Sequence, residues 1–394
     1  MKIAIVGGGP AGLYLSILLK RRHPQWPITV LEQNPAHATF GFGVVLASNG
    51  LERLRAADAS TYDQLVGKMT FTTHQRITHR EQALAIARPG KGGGAIARID
   101  LLNILQREAT EAGVRIEYGA RVDGPEARAR WRLDEADLVV GADGINSAIR
   151  AGLQTQFGTS QSSLSNHFAW YGVDKAFASA ALVFREYRQG AFVAHYYPYA
   201  ADKSTFVAEC DHATWMRLGM DAMDDEQRQR LFETVFAPEL GGKPLVSNHS
   251  SWRQFPVITN REWVADQYVL LGDAQTSAHF SIGSGTRIAM DDAIALANAL
   301  VDEAPGDARS VRQRLRQFAA ARQPEKDKLI NASRQSYLWY ERMGEWMRKY
   351  STAEFVHAYM KRTGRMSDER LWRDYPQMME AMARQGVVER VAAP

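Results

Sequence analysis

The chain begins KIAIVGGGPAG, and no other stretch restricts its fold as strongly. Residues 2–7 are a short apolar run rich in β-branched side chains. LYLSILLKRR after Pro10 has helical periodicity and a basic end, and ITVLEQ (Ile28–Gln33) is a second apolar run. Strand, glycine turn, helix and strand within about 30 residues make a βαβ unit with parallel strands and a right-handed crossover. Gly7, Gly9 and Gly12, with Ala11 between the last two, form Gly-x-Gly-x-x-Gly. Such glycines let the backbone turn tightly, approach a pyrophosphate and seat helix on strand, while the helix N-terminus offers free N–H groups. Glu32, at the end of the second strand, suits the hydroxyls of an adenosine ribose. This unit alone does not separate NAD from FAD.

Further along, IARIDLLNILQREATEAGVRIEYG (96–119) reads as a helix closed by Gly113 and followed by a strand. DLVVGADGINSAIR (137–150) reads as a buried strand, a turn and a helix start. From about 160 to 257 the character changes to short aromatic or β-branched segments between polar turns (AWYGV, ALVFREY, GAFVAHYYPY, STFVAEC), the pattern of an antiparallel sheet. YVLLGD returns to buried-strand character, a helix from about Ser284 to Val301 follows, and the chain beyond Pro305 looks helical, with Trp339, Trp346 and Trp372 packing helices together. The expected architecture is α/β: a Rossmann-like dinucleotide-binding domain with an inserted antiparallel-sheet substrate domain and a helical C-terminus. Its expected parts are residues 1–159, lending strands around 70–90 to the inserted sheet, then 160–257, 258–335 and 336–394.

A net charge of +4 over 394 residues gives no ground for nucleic-acid binding. Cys210 is the only cysteine, which excludes an intramolecular disulfide and any cysteine-based metal site and fits a reducing compartment. The N-terminus has no cleavable-signal pattern and no apolar run reaches 18 residues, so the expectation is a cytoplasmic protein without membrane or metal partners.

The cofactor is decided by LLGDAQTSAHFSIGSGTRIAMDDAIALANAL, residues 270–300. Asp273 follows a glycine at the C-terminal end of a buried strand, where open α/β sheets bind ligands, and there it can hold a ribityl hydroxyl. Gly283 and Gly285 precede a helix whose N-terminus faces the same ligand, and small residues let a flat ring lie on the backbone. With GGGPAG and Glu32, DLVVGADGINSAIR, and this segment in order, the chain resembles the single-component FAD-dependent aromatic hydroxylases of the para-hydroxybenzoate hydroxylase fold. The resemblance implies extended FAD on Asp273, an Asp143-Gly144 motif serving FAD and NAD(P)H, and a cofactor-reaching Arg98 in ARIDLLNIL. Gly43, in FGFGVVLASNGLERL, joins the implied cofactor residues.

The family usually reads Gly-Asp-Ala-Ala-His and then two prolines; here Gln275 and Thr276 follow Ala274, and His279 and Phe280 stand at the prolines. With FGFGVVL and the C-terminal WYERMGEWMRKYSTAEFVHAYM, this is similar to the branch of salicylyl-CoA 5-hydroxylase and the violacein-pathway tryptophan 5-hydroxylase. The implied reaction uses NADH or NADPH as transient reductant and O2 to form a flavin C4a-hydroperoxide. That species hydroxylates a ring activated by a hydroxyl, an amine or an indole nitrogen, and an aryl-CoA thioester such as salicylyl-CoA, at position 5, is the preferred substrate. The resemblance places His279 and Phe280 by the flavin's reactive edge, with Phe280 touching the substrate ring and His279 donating to it or accepting from it. His195 and Tyr197 fall on one face of their strand, Tyr196 on the other, and the first two are candidate substrate contacts. The arginines from Arg115 to Arg132 are either a CoA-phosphate site or a solvated face. The alternatives are a tryptophan or indole hydroxylase, a flavin oxidoreductase without oxygenation, and a flavin- or CoA-binding sensor. A flavin halogenase would carry Trp-x-Trp-x-x-Ile-Pro, which is absent. Oligomeric state is not legible.

Overall fold

The computed structural model describes residues 1–87, 93–301 and 308–389. The end of the expected 70–90 strands, Pro305 and residues 390–394 lie outside the described residues. Two large sheets organise the rest. The first runs Val264–Ala265, Tyr268–Leu270, Leu138–Gly141, Ile3–Val6, Ile28–Glu32, Arg115–Tyr118, all parallel except the edge hairpin. Its strands are covered on both faces, as parallel sheets require. Ile3 and Ile5 join one core with helices Pro10–Arg22, Arg98–Glu111 and Gly285–Ala299, while Ala4 and Val6 join another. Strand order reverses beside Ile3–Val6, so the loops after Val6, Gly141 and Leu270 rim one crevice.

The second sheet has eight strands: Leu245–Val246, Thr159–Val173, Ser204–Cys210, Gly190–Pro198, Ala180–Tyr187, His74–His79 and Gln82–Ala87 in order, with Arg253–Asn260 also paired to Thr159–Val173. Only the pairing of Ala180–Tyr187 with His74–His79 is parallel. Alternation divides its faces: Tyr171, Tyr196, Phe206 and Cys210 pack under helices His212–Arg217, Asp225–Val235 and Ala237–Leu240, while Leu182, Phe184 and Val193 pack on the C-terminal helices. The three helices fall within 160–257, in segments between the strands for which the sequence pattern suggests no element. The second of them begins at an Asp224/Gln227 capping box, a start signal that the sequence did carry. A correction concerns Ile96 and Ala97, which end the strand Gly94–Ala97 of a small three-stranded sheet; the helix begins at Arg98.

Helix Ala308–Tyr340 crosses residue 335 unbroken, so a boundary between 335 and 336 would fall inside one helix. Trp339, Trp346 and Trp372 pack against the C-terminal core. Among the described residues no helix is long and apolar enough to cross a membrane.

Candidate active site

The crevice at the switch point sorts its glycines into two kinds. Gly7 has φ +109°, and a Cβ on it would lie 2.3 Å from the Ala142 carbonyl oxygen; one on Gly12 would lie 2.1 Å from that of Gly7. These two are glycines because backbone approaches backbone. Around Gly9, Gly283 and Gly285 no atom lies within 4 Å of an added Cβ, so these border open space that a ligand can fill. Gly144 borders such space too, at φ +75°, and Ala11 is buried in the sheet–helix core.

Charges ring the same crevice. Asp273 is open to solvent yet surrounded by protein; desolvation pushes its carboxyl pKa up, opposed by Lys326 and Arg98. The Arg98 guanidinium has its pKa lowered by desolvation and feels both Asp273 and Glu32. Glu32 accepts from the amide of Gly8 at 2.7 Å and of Asn34 at 2.8 Å, which ties it to the glycine turn. Asp143 Oδ2 accepts from the amides of Ala148 (2.7 Å) and Ile149 (3.2 Å), while its Oδ1 is buried without a partner. An orphaned acceptor, open glycines beside two helix N-termini, and acids spaced along one crevice fit the hydroxyls and pyrophosphate of FAD. Glu32 would hold the ribose, Asp273 the ribityl chain, and the turns at Gly9 and Gly283–Gly285 the pyrophosphate and ring.

The turn carrying Asp273 is anchored by a buried network that the sequence reading missed. Asp292 Oδ2 accepts from the Gly272 amide at 3.2 Å and from Lys326 Nζ at 2.7 Å, and its Oδ1 accepts from Arg322 at 2.9 Å. Lys326 also donates to Gln275 Oε1, so a departure from the family pattern has a partner on the long helix. The available signal was the Arg322/Lys326 pair, four residues apart on one helix face.

Beyond this turn, Phe280 sits in an aromatic enclosure. Ring centroids of Phe168, Trp170, His195, Phe255 and His279 lie 4.7, 5.4, 5.5, 6.2 and 4.1 Å from its own. His195 stacks on Tyr340, and its Nε2 lies 3.0 Å from Glu209 Oε2. Glu209, buried, also accepts from Asn166 Nδ2 at 2.9 Å. Since a carboxylate only accepts, the His195 proton is on Nε2 and Nδ1 is an acceptor; no described residue bonds to it. Tyr197, on the same sheet face, donates to the Gly43 carbonyl at 2.9 Å, and the Gly43 amide donates to Thr205 at 2.8 Å. Gly43 therefore has both backbone groups bonded to the second sheet. Burial raises the Tyr197 phenol to about 12, which keeps it a neutral donor.

His279 is buried; its amide donates to Ser333 Oγ at 2.8 Å, and its Nδ1 accepts from the Ser281 amide at 3.3 Å. Burial drives its pKa down to about 3, so the ring is neutral with its proton on Nε2. Of the two roles expected of it, this bonding leaves donation. Arg115, Arg121 and Arg132 are each paired with a neighbouring acid (Glu117, Asp123, Glu135), as on a solvated face. Among the described residues no group of three or more His, Cys, Asp or Glu could hold a metal ion.

The family described as FAD binding domain matches residues 1–333. The chain is 35% identical over 374 residues to salicyloyl-CoA 5-hydroxylase of a Streptomyces species, covering 92% of this chain and 70% of that one. It is also 35% identical to 3-hydroxy-4-methyl-anthranilyl-[aryl-carrier protein] 5-monooxygenase of Streptosporangium sibiricum, over 87% of this chain and 90% of that one. To protodeoxyviolaceinate monooxygenase of Chromobacterium violaceum it is 30% identical over 97% and 98% of the two chains; that relative's name gives protodeoxyviolaceinate, not tryptophan. Among solved structures, 2-methyl-3-hydroxypyridine-5-carboxylic acid oxygenase superposes with a TM-score of 0.70 at 18% identity, over 94% and 95% of the chains. PqsL of Pseudomonas aeruginosa does so at 0.66 and 20%, over 86% and 96%.

Proposed function

The chain belongs to the FAD-dependent aromatic monooxygenases, and from that premise we propose that it hydroxylates the activated ring of an aryl thioester, with salicyloyl-CoA at position 5 the first candidate. The observation that carries this reading is the aromatic cluster around Phe280, seven residues beyond Asp273, which offers ring faces and edges for a flat substrate ring beside the place where the flavin would lie. Two of the three relatives described are named for thioester substrates, one on CoA and one on an aryl-carrier protein, which favours a thioester over a free acid.

Bound FAD, reduced by transient NADH or NADPH, supplies the activated oxygen of O2. Phe168, Trp170 and Phe280 flank the ring and keep water out. His195 Nδ1 accepts the proton of the ring's activating hydroxyl: the O–H bond breaks, its electron pair stays on the substrate oxygen, and Glu209 balances the imidazolium. His279 donates its Nε2–H to the acyl carbonyl. Asn166 and Glu209 are positioning residues. A cytoplasmic setting belongs to the same reading.

The test incubates the FAD-loaded protein with NADH or NADPH and, in turn, salicyloyl-CoA, salicylate and tryptophan, following reductant oxidation and product mass. A ring product one oxygen heavier from the thioester alone supports the reading. Equal product from free salicylate or from tryptophan sinks it.

A further inference from the structure

A cavity of about 370 Å³ lies between strand Arg253–Asn260 and the long helix Ala308–Tyr340. It descends from exposed Thr259, Asn331 and Arg334 to buried Ser277, His279 and Ser333. Its walls mix apolar surface with hydroxyl and amide groups, and no carboxylate lines it. Arg334 forms no ion pair with any described residue. The floor is the wall of the aromatic enclosure: His279 and Phe255 line the cavity while also packing against Phe280.

We propose that this cavity binds the phosphopantetheine arm of the substrate, with Arg334 at its mouth on a phosphate of the CoA; this rests on the thioester reading above. A thioester has a flat ring and a chain of alternating methylenes and amides, joined at one carbonyl. The structure offers an aromatic cluster for the ring to pack on, a polar-apolar cavity for the chain, and His279, common to both, at the junction. An arginine without an acidic partner at the mouth matches a dianionic phosphate. A free aromatic acid or amino acid would leave the channel empty.

The test uses the FAD-loaded full chain with salicyloyl-CoA and with salicyloyl-pantetheine, which lacks the phosphates. Binding is read by the flavin absorbance change, turnover by product, and folding by FAD content and thermal midpoint. Arg334→Glu should raise KM for salicyloyl-CoA about tenfold or more with little change in kcat, and leave KM for salicyloyl-pantetheine in place. Asn331→Trp, which fills the channel from an exposed helix position, should raise KM for both. An unchanged KM for salicyloyl-CoA in Asn331→Trp, or an equal effect of Arg334→Glu on both thioesters, overturns the arm site. Arg334-dependent binding of salicyloyl-CoA without hydroxylated product upholds the arm site and fails the substrate reading. If neither thioester binds, both fall.

Discussion

His195 donates its Nε2–H to Glu209 Oε2 across 3.0 Å, and so presents a bare Nδ1 beside Phe280. The groups that face this imidazole are Glu209 on the neighbouring strand, Tyr340 on the long helix and His279 across the enclosure, with Arg362 acting on the last two. His195→Gln should lower kcat for a phenolic substrate about 10²-fold. Glu209→Gln removes the partner that holds the His195 Nε2–H and should also lower kcat, by a smaller factor, with KM little changed. Steady-state kinetics of the three proteins check this, and an unchanged kcat in His195→Gln rejects His195 as the base.

The two kinds of glycine give a contrast. Gly9→Val should fold with a thermal midpoint near wild type and purify without flavin, because its side chain enters open space where the pyrophosphate would lie. Gly12→Val should lose about 3 kcal/mol or more, because its Cβ would meet the Gly7 carbonyl at 2.1 Å. Thermal melting and flavin absorbance separate the two outcomes.

Lys326→Met leaves Gln275 Oε1 unbonded and breaks a buried pair with Asp292, at a cost of about 3–5 kcal/mol. Because Asp292 and Gln275 brace the residues on either side of Asp273, the same variant should weaken FAD binding. Asp273→Ala should weaken FAD binding without a comparable loss of stability. A double-mutant cycle on the FAD dissociation constant should show coupling between Lys326 and Asp273; strict additivity would mean that the network does not position the turn.

His279, held down to about 3, and His167, held down to about 4, are both lowered chiefly by burial. The unfolded chain binds protons on both below its ordinary histidine pKa near 6.5, whereas the folded chain resists. Stability should therefore fall as pH drops below about 6.5 and continue falling toward 4, each group contributing a slope of at most about 1.4 kcal/mol per pH unit. Urea unfolding at a series of pH values, repeated with His279→Asn, should show a shallower acid slope in the variant.

The cofactor half of this architecture is legible in the sequence because its determinants are local. Gly12 is demanded by the Gly7 carbonyl within the same turn and Gly7 by its positive φ, while Ile3–Val6 is buried throughout and Ile28–Glu32 nearly so, which makes both read as short apolar runs. The substrate half depends on long-range pairing. Phe168 and Trp170 are ordinary strand aromatics until Phe280, over a hundred residues away, is packed between them and His195. Glu209 reads as one more strand residue until the register sets it beside His195 and Asn166. Gln275 reads as a departure from a pattern, since its partner Lys326 lies on a helix that no local signal connects to it.

The helix Ala308–Tyr340 meets three parts of the site in turn: Arg322 and Lys326 brace the Asp273 turn, Asn331 and Arg334 line the cavity, and Tyr340 backs His195. A helix of 33 residues spans about 50 Å at 1.5 Å per residue, and each residue turns the next by about 100°. It therefore acts as a camshaft whose lobes have fixed phase. One residue inserted between Lys326 and Asn331 would preserve every side chain named above and still swing the cavity wall and Tyr340 about 100° away from the cofactor brace. Residue spacing along this rod, as much as residue identity, sets the distance between flavin and substrate.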